Sequence, residues 1–78
     1  MIDAYRTWSA RTGQTRADLA RLMGVSYSVL GRWLHGARMP RPARLRALAD
    51  ALGADPVELL RQLDARKANV LARESARP

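Results

Sequence analysis

The chain has 78 residues, of which 47% are hydrophobic, and it contains two Trp, two Tyr and no Phe. A domain of this size buries only about 60–65% of the surface that its unfolded chain exposes, so we expect one small domain of modest stability. The absence of cysteine excludes disulfide bonds, thiolate metal sites and a cysteine nucleophile. Neither a signal-peptide pattern nor an apolar stretch of membrane-spanning length is present, so we expect a soluble, cytoplasmic protein without a membrane partner.

The formal net charge of +7 is unevenly distributed along the chain. Residues 1–46 contain nine Arg and two Asp, a balance of +7, whereas residues 47–78 contain five basic and five acidic residues, a balance of 0. A basic region on a small domain is typical of polyanion binding, and nucleic acid is the commonest polyanion in a cytoplasm. The alternative is a solvated, arginine-rich surface.

Two helices are predicted in the first third of the chain. The first covers about residues 3–12 and ends at Gly13, because a glycine commonly follows the last helical residue. The second begins at residue 16, where Thr15 and Asp18 have the spacing of a capping box. Asp18 is therefore interpreted as a helix cap and not as a catalytic acid.

Three further helices follow. Ser26 is a good N-cap for a helix that extends to about Leu34. A loop with Arg38 and Arg41 then precedes a helix at about 42–52, which begins with Pro42. A last helix starts at Asp55-Pro56-Val57-Glu58, and we expect it to fray by about residue 72. The sequence thus predicts an all-α fold, with 1–63 as a domain and 64–78 as a helical extension or a flexible tail.

The second and third helices have the spacing of a helix-turn-helix. Ala20 lies where two helices must approach closely, and Gly24 occupies the turn, where a positive φ favours glycine. The residues predicted to close the two helices over each other are Leu19, Met23, Val25, Leu30 and Trp33. The residues predicted to point outward are Tyr27, Ser28, Gly31 and Arg32.

A series of residues recurs in order and at the right intervals over about residues 5–60: Thr15, Leu19, Ala20, Gly24, Val25, Ser26, Leu30, Arg32, Trp33, Gly36, Pro40, Leu48, Ala49, Leu52 and Gly53. By these residues the sequence resembles the Cro/phage-repressor class of helix-turn-helix domains, the xenobiotic-response-element family of bacterial regulators. The chain departs from the family pattern at Gln14, Arg16 and Leu34. The resemblance implies a five-helix bundle of the lambda-repressor-like type, whose helix at 26–34 lies in the major groove of DNA.

In that family the base-reading positions correspond to Tyr27, Ser28 and Arg32 of this chain. Arg32 could donate two hydrogen bonds to a guanine, Ser28 can bond several bases, and Tyr27 can contact a sugar, a thymine methyl or a phosphate. The expected phosphate contacts are Thr15, Arg16, Ser26, Arg38 and Arg41. A second observation supports a phosphate contact at Arg41. It precedes Pro42, at the N-cap position, where a helix needs a hydrogen-bond acceptor, and an arginine side chain has no acceptor. The free N–H groups there suit a phosphate, with water as the alternative.

No enzyme site or cofactor is expected. His35 is the single histidine, and no carboxylate lies at metal-ligand spacing from it or completes a triad with Ser26 or Ser28. Trp33 is interpreted as a core residue.

Three functions compete at this point. The first is a dimeric, sequence-specific regulator, such as a Cro-like repressor or a controller of a restriction-modification system, bound to a palindromic operator on the nucleoid. A chain this short would leave no room for a ligand-sensing domain. The second is an antitoxin that covers a toxin, and the third is a nonspecific binder of nucleic acid or anionic membrane. The expected dimer surface is on the last helix, at Leu59, Leu60, Leu63, Val70 and Leu71. The alternative is that Leu60 and Leu63 complete the core and that 64–78 is a disordered tail.

Overall fold

A computed structural model describes residues 2–75 of the chain, and this part contains helices and no strand. The helices are, in chain order, α1 Asp3–Thr12, α2 Arg16–Met23, α3 Tyr27–Leu34, α4 Pro42–Leu52 and α5 Pro56–Ser75. The predicted all-α class and the five-helix order are confirmed. The last helix is longer than expected, because α5 continues past residue 72 to Ser75.

The helices around the predicted helix-turn-helix begin at side-chain caps. The Thr15 hydroxyl accepts a hydrogen bond from the backbone of Asp18, and the Asp18 carboxylate accepts one from the backbone of Thr15, which completes the predicted capping box. The backbone N–H of Thr15 and then its hydroxyl donate to the Asp18 carboxylate, and together with Arg21 they lower the pKa of Asp18. Ser26 caps α3 by accepting from the backbone of Val29, and Asp55 caps α5 by accepting from that of Glu58. The interpretation of Asp18 as a cap is therefore confirmed.

A single apolar core lies between the five helices. Its fully buried leucines come from every helix except α1, which contributes Trp8 at 3% exposure. The leucines are Leu19, Leu30, Leu34, Leu48, Leu59 and Leu63. Trp33 is also buried, which confirms it as a core residue. α3 is thus held by its apolar face, and its polar face is left for solvent or a ligand.

Two residues of the expected dimer surface belong to this core. Leu59 and Leu63 are wholly buried within the chain, so the prediction that they face a second copy was wrong. The physical reason is that α5 packs on α4 and α1 and needs both leucines to close the core. Leu60 lies on the other side of α5 and is 39% exposed. The side chains of Val70 and Leu71 fall outside the described residues.

The middle of α5 packs directly on the loop that follows α3. A Cβ atom on Gly36 would lie 2.7 Å from the backbone carbon of Arg66 and 2.8 Å from the backbone nitrogen of Lys67. Real Cβ atoms do not approach backbone so closely, so this packing requires glycine at position 36. The loop carrying Arg38 and Arg41 is therefore anchored at its start by α5.

Two arginines of the basic region have structural partners. Arg44 donates a hydrogen bond to the Met23 carbonyl at the end of α2, and Arg11 donates one to the Leu52 carbonyl at the end of α4. Cations placed at helix C-termini complement the unpaired carbonyl groups there. Part of the positive charge thus joins helices to one another. Among the residues described, no helix has both the length and the apolar content needed to cross a lipid bilayer.

Candidate nucleic-acid interface

The exposed face of α3 carries the side chains predicted to read bases. Tyr27, Ser28 and Arg32 are all exposed, whereas Leu30 and Trp33 are buried in the core. Residues 28 and 32 are one turn apart and share a side of the helix, as i and i+4 positions do. The structure therefore confirms that these three side chains are exposed and line one cleft of the domain.

Arg16 reaches from the first turn of α2 across to α3. Its guanidinium carbon lies 4.0 Å from the centroid of the Tyr27 ring, which is a cation–π contact. Its Nη1 lies 3.4 Å from Nε2 of His35, which can accept a hydrogen bond when the ring is neutral. Among the described residues, Nε of Arg16 is buried and has no hydrogen-bond partner.

Gly31 lies beneath this arginine. Gly31 lines the same cleft as Tyr27, Ser28 and Arg32, as expected, but it is buried because the Arg16 guanidinium covers it. A Cβ atom there would lie 3.3 Å from Nη1 of Arg16 and 3.7 Å from its Cζ. The missing side chain leaves the space that the guanidinium occupies.

The resulting cleft has a volume of about 400 Å³. It is lined by Arg16, Tyr27, Ser28, Gly31, Arg32, His35 and Ala37. Two arginines and a histidine therefore line the same cleft as Ser28, the exposed serine of α3. Such a concave, positively charged surface can bind an anion or the acceptor edge of a base.

The imidazole of His35 lines this cleft. Partial burial of its ring lowers its pKa from the ordinary value of 6.5, and the positive charges of Arg16 and Arg66 lower it further. The lowered pKa favours the neutral imidazole, which can accept a hydrogen bond from Arg16. Sequence reasoning treated His35 as an isolated histidine and missed this contact. The spacing of Tyr27, Gly31 and His35, at i, i+4 and i+8, was the available signal.

A second cleft lies between the end of α3 and the start of α4, with a volume of about 270 Å³. Its lining residues are Val29, Trp33, Arg38, Met39, Pro40, Arg41 and Arg44. Arg41 occupies the N-cap position of α4 and makes no side-chain capping hydrogen bond, as the sequence predicted. Unpaired N–H groups at a helix N-terminus next to arginines form a favourable site for a phosphate.

The predicted site residues thus fall into three groups. Tyr27, Ser28, Arg32 and Arg16 line the first cleft, and Arg38 and Arg41 line the second. Thr15 and Ser26 lie outside both linings and act as helix caps. Among the side chains that the structure describes, no group of three His, Cys, Asp or Glu is placed to hold a metal ion.

Comparison with known proteins identifies the family of this fold. The helix-turn-helix domain family matches residues 4–63, which include the two helices and the turn described above. No curated protein and no solved structure matches the chain significantly.

Proposed function

Because the chain belongs to the helix-turn-helix domain family, we propose that it is a small sequence-specific transcriptional regulator. Membership of this family indicates DNA binding, and the family is typically without enzymatic activity. In this proposal α3 enters the major groove of double-stranded DNA. The observation that carries the proposal is the division of α3 into a buried apolar face and an exposed face with Tyr27, Ser28 and Arg32. The resemblance to the Cro/phage-repressor class supports a repressor that acts on the nucleoid in the cytoplasm.

We assign base contacts to the exposed side chains of α3. Arg32 has the planar fork that matches O6 and N7 of guanine, and such a contact discriminates against a wrong base by about 1–3 kcal/mol. Ser28 can donate to or accept from several bases and therefore specifies weakly. Tyr27 has one ring face covered by Arg16, which leaves its hydroxyl and ring edge for a phosphate or a thymine methyl.

We assign phosphate contacts to the second cleft and to two helix caps. Arg38 and Arg41 lie beside the uncapped N-terminus of α4, so charge and N–H donors act together. Ser26 accepts from Val29 and can still donate its hydroxyl proton to a phosphate. The Thr15 hydroxyl lies 3.1 Å from the Asp18 carboxylate, which competes with a phosphate for its proton.

We further propose that two copies bind together. A single recognition helix contacts too few base pairs to select one site, whereas a dimer reads two half-sites about 34 Å apart. Val57 and Leu60 are 76% and 39% exposed on the outer side of α5, and they offer an apolar surface to the second copy. Light scattering on the wild type and on a Leu60→Asp variant tests this arrangement. Co-purification of a nuclease-like partner would instead favour the antitoxin function.

Selection of bound fragments from random duplex DNA, followed by sequencing, tests the proposed function. We expect a palindromic consensus whose half-sites are one helical turn apart. Recovery of fragments without any consensus would contradict a sequence-specific regulator and favour a nonspecific, charge-driven binder.

A further inference from the structure

The placement of Arg16 differs from that of the other arginines assigned to DNA. Arg38 and Arg41 belong to the loop and the start of α4, and they line the second cleft. Arg16 belongs to α2, yet its guanidinium lies over α3 and lines the same cleft as Ser28 and Arg32. Arg16 therefore belongs to the reading surface, the exposed side chains that include Ser28 and Arg32, and not to the phosphate site of Arg38 and Arg41.

Two residues of α3 and its C-cap residue hold the guanidinium in place. Tyr27, Gly31 and His35 are spaced by four residues each, so they form one stripe along the helix. Arg16 stacks on the first, fills the space left by the second and lies within hydrogen-bonding distance of the third. The Arg16 guanidinium thus occupies the space that a side chain at position 31 would fill.

A phosphate contact does not need this degree of restraint. A lysine binds phosphate as a point charge, whereas the guanidinium fork matches both a phosphate and a guanine. The position of Arg16 beside Ser28 and Arg32 on the exposed face of α3 is what favours a base. Stacking on an aromatic ring fixes the plane of a guanidinium, so that its N–H donors point outward from the edge of that plane. A fixed planar fork of donors is the geometry that recognises O6 and N7 of guanine.

We propose that Arg16 is a base-reading residue, supplied by α2 to the reading surface of α3, and that its ligand is a guanine in each half-site. This inference rests on the proposed DNA-binding function and replaces the phosphate role that the sequence indicated for Arg16. Gly31 and His35 act as positioning residues, because one makes space for the guanidinium and the other holds Nη1. The reading surface is then composite, with Ser28 and Arg32 from α3 and Arg16 from α2.

The experiment compares the wild type with Arg16→Lys and Gly31→Ala on the selected consensus and on every single-base-pair substitution of it. Arg16→Lys keeps the charge but loses the fork, so we expect the preference at one G·C pair per half-site to fall by about 5- to 150-fold. The salt dependence of binding should stay unchanged. Gly31→Ala keeps Arg16 but forces its guanidinium to shift by a few tenths of an ångström, and it should weaken the preference at the same base pair.

The matched control is Arg21→Lys, the same substitution on an exposed residue of α2 that pairs with Asp18. We expect this variant to keep every base preference. Thermal unfolding of each variant checks that the fold is retained.

Two outcomes would overturn the inference. One is an Arg16→Lys variant with the base preferences of the wild type. The other is a Gly31→Ala variant whose altered preference falls at a different base pair from that of Arg16→Lys. If the wild type selects no consensus at all, the proposed function fails first and this inference falls with it.

Discussion

The side chain of Gln62 caps the N-terminus of α1 from 58 residues away, by accepting a 2.8 Å hydrogen bond from the backbone nitrogen of Ala4. The local N-cap residue, Ile2, makes no side-chain capping hydrogen bond. The amide of Gln62 also donates to Glu58 at 3.2 Å, so its oxygen is directed to α1 by its own helix. Glu58 receives hydrogen bonds from Arg61 and then from Gln62, which lower its pKa to about 2 and keep it ionised. α5 thus fixes the start of the chain to its second half.

Replacement of Gln62 tests this long-range cap. Gln62→Ala leaves a backbone N–H of α1 without its acceptor, and we expect a loss of about 1 kcal/mol in the free energy of unfolding. Urea denaturation followed by circular dichroism measures it. Asp64→Ala, at an exposed position two residues along α5, serves as the control and should change stability by less than about 0.5 kcal/mol. Equal losses in the two variants would show that the cap contributes nothing.

The contact of Gly36 with α5 predicts a large effect from one methyl group. Gly36→Ala adds the strain of a positive φ to an overlap with the backbone of Arg66, so we expect a loss of about 2–5 kcal/mol. Gly13 has a similar φ of 70°, but a Cβ atom added there would meet no atom within 4 Å. Gly13→Ala therefore isolates the strain, which costs about 1–2 kcal/mol. Similar midpoints for the two variants in urea would argue against tight packing of α5 on the loop.

The phosphate assignment predicts the salt dependence of DNA binding. Log affinity against log salt should have a slope of magnitude about 4 or more per bound dimer. Arg38→Ala and Arg41→Ala should each reduce this slope by about 1 per subunit and weaken all sequences equally. Arg61→Ala removes the same charge from α5 and should leave the slope unchanged. Wild-type slopes in both loop variants would remove the assignment.

Arg32 predicts a different signature from that of the loop arginines. Arg32→Ala should lose about 1–3 kcal/mol of discrimination at one base pair in each half-site and retain most nonspecific affinity. Fluorescence anisotropy with consensus and substituted duplexes measures both quantities, again with Arg61→Ala as the control. A uniform loss across all duplexes would identify Arg32 as a backbone contact.

The lowered pKa of His35 predicts a pH dependence of stability. Because the folded chain holds this pKa below 6.5, the unfolded chain takes up the proton more readily. The stabilisation from neutral His35 is therefore present above pH 6.5 and decreases as the pH falls below it. Arg16 from α2 and Arg66 from α5 face the ring and oppose its positive charge. Urea unfolding between pH 7.5 and 5 should show a larger loss for the wild type than for His35→Gln, and parallel profiles would contradict this origin.

The sequence alone was sufficient for features that depend on neighbouring residues. The caps at Thr15, Ser26 and Asp55 bond backbone groups three residues away, so their spacing in the chain is their geometry. The exposed face of α3 follows from helical periodicity in the same way. Five helices, their order and the side of α3 that carries Ser28 and Arg32 were therefore predictable.

Only the tertiary structure decided which distant residues meet. The stacking of Arg16 on Tyr27, the packing of Gly36 on Arg66 and the bond between Gln62 and Ala4 depend on how helices lie against one another, which periodicity does not encode. The same limit explains the error at Leu59 and Leu63. Burial in a core and burial at a dimer interface both remove apolar area from water, so an apolar stripe predicts burial without identifying its partner.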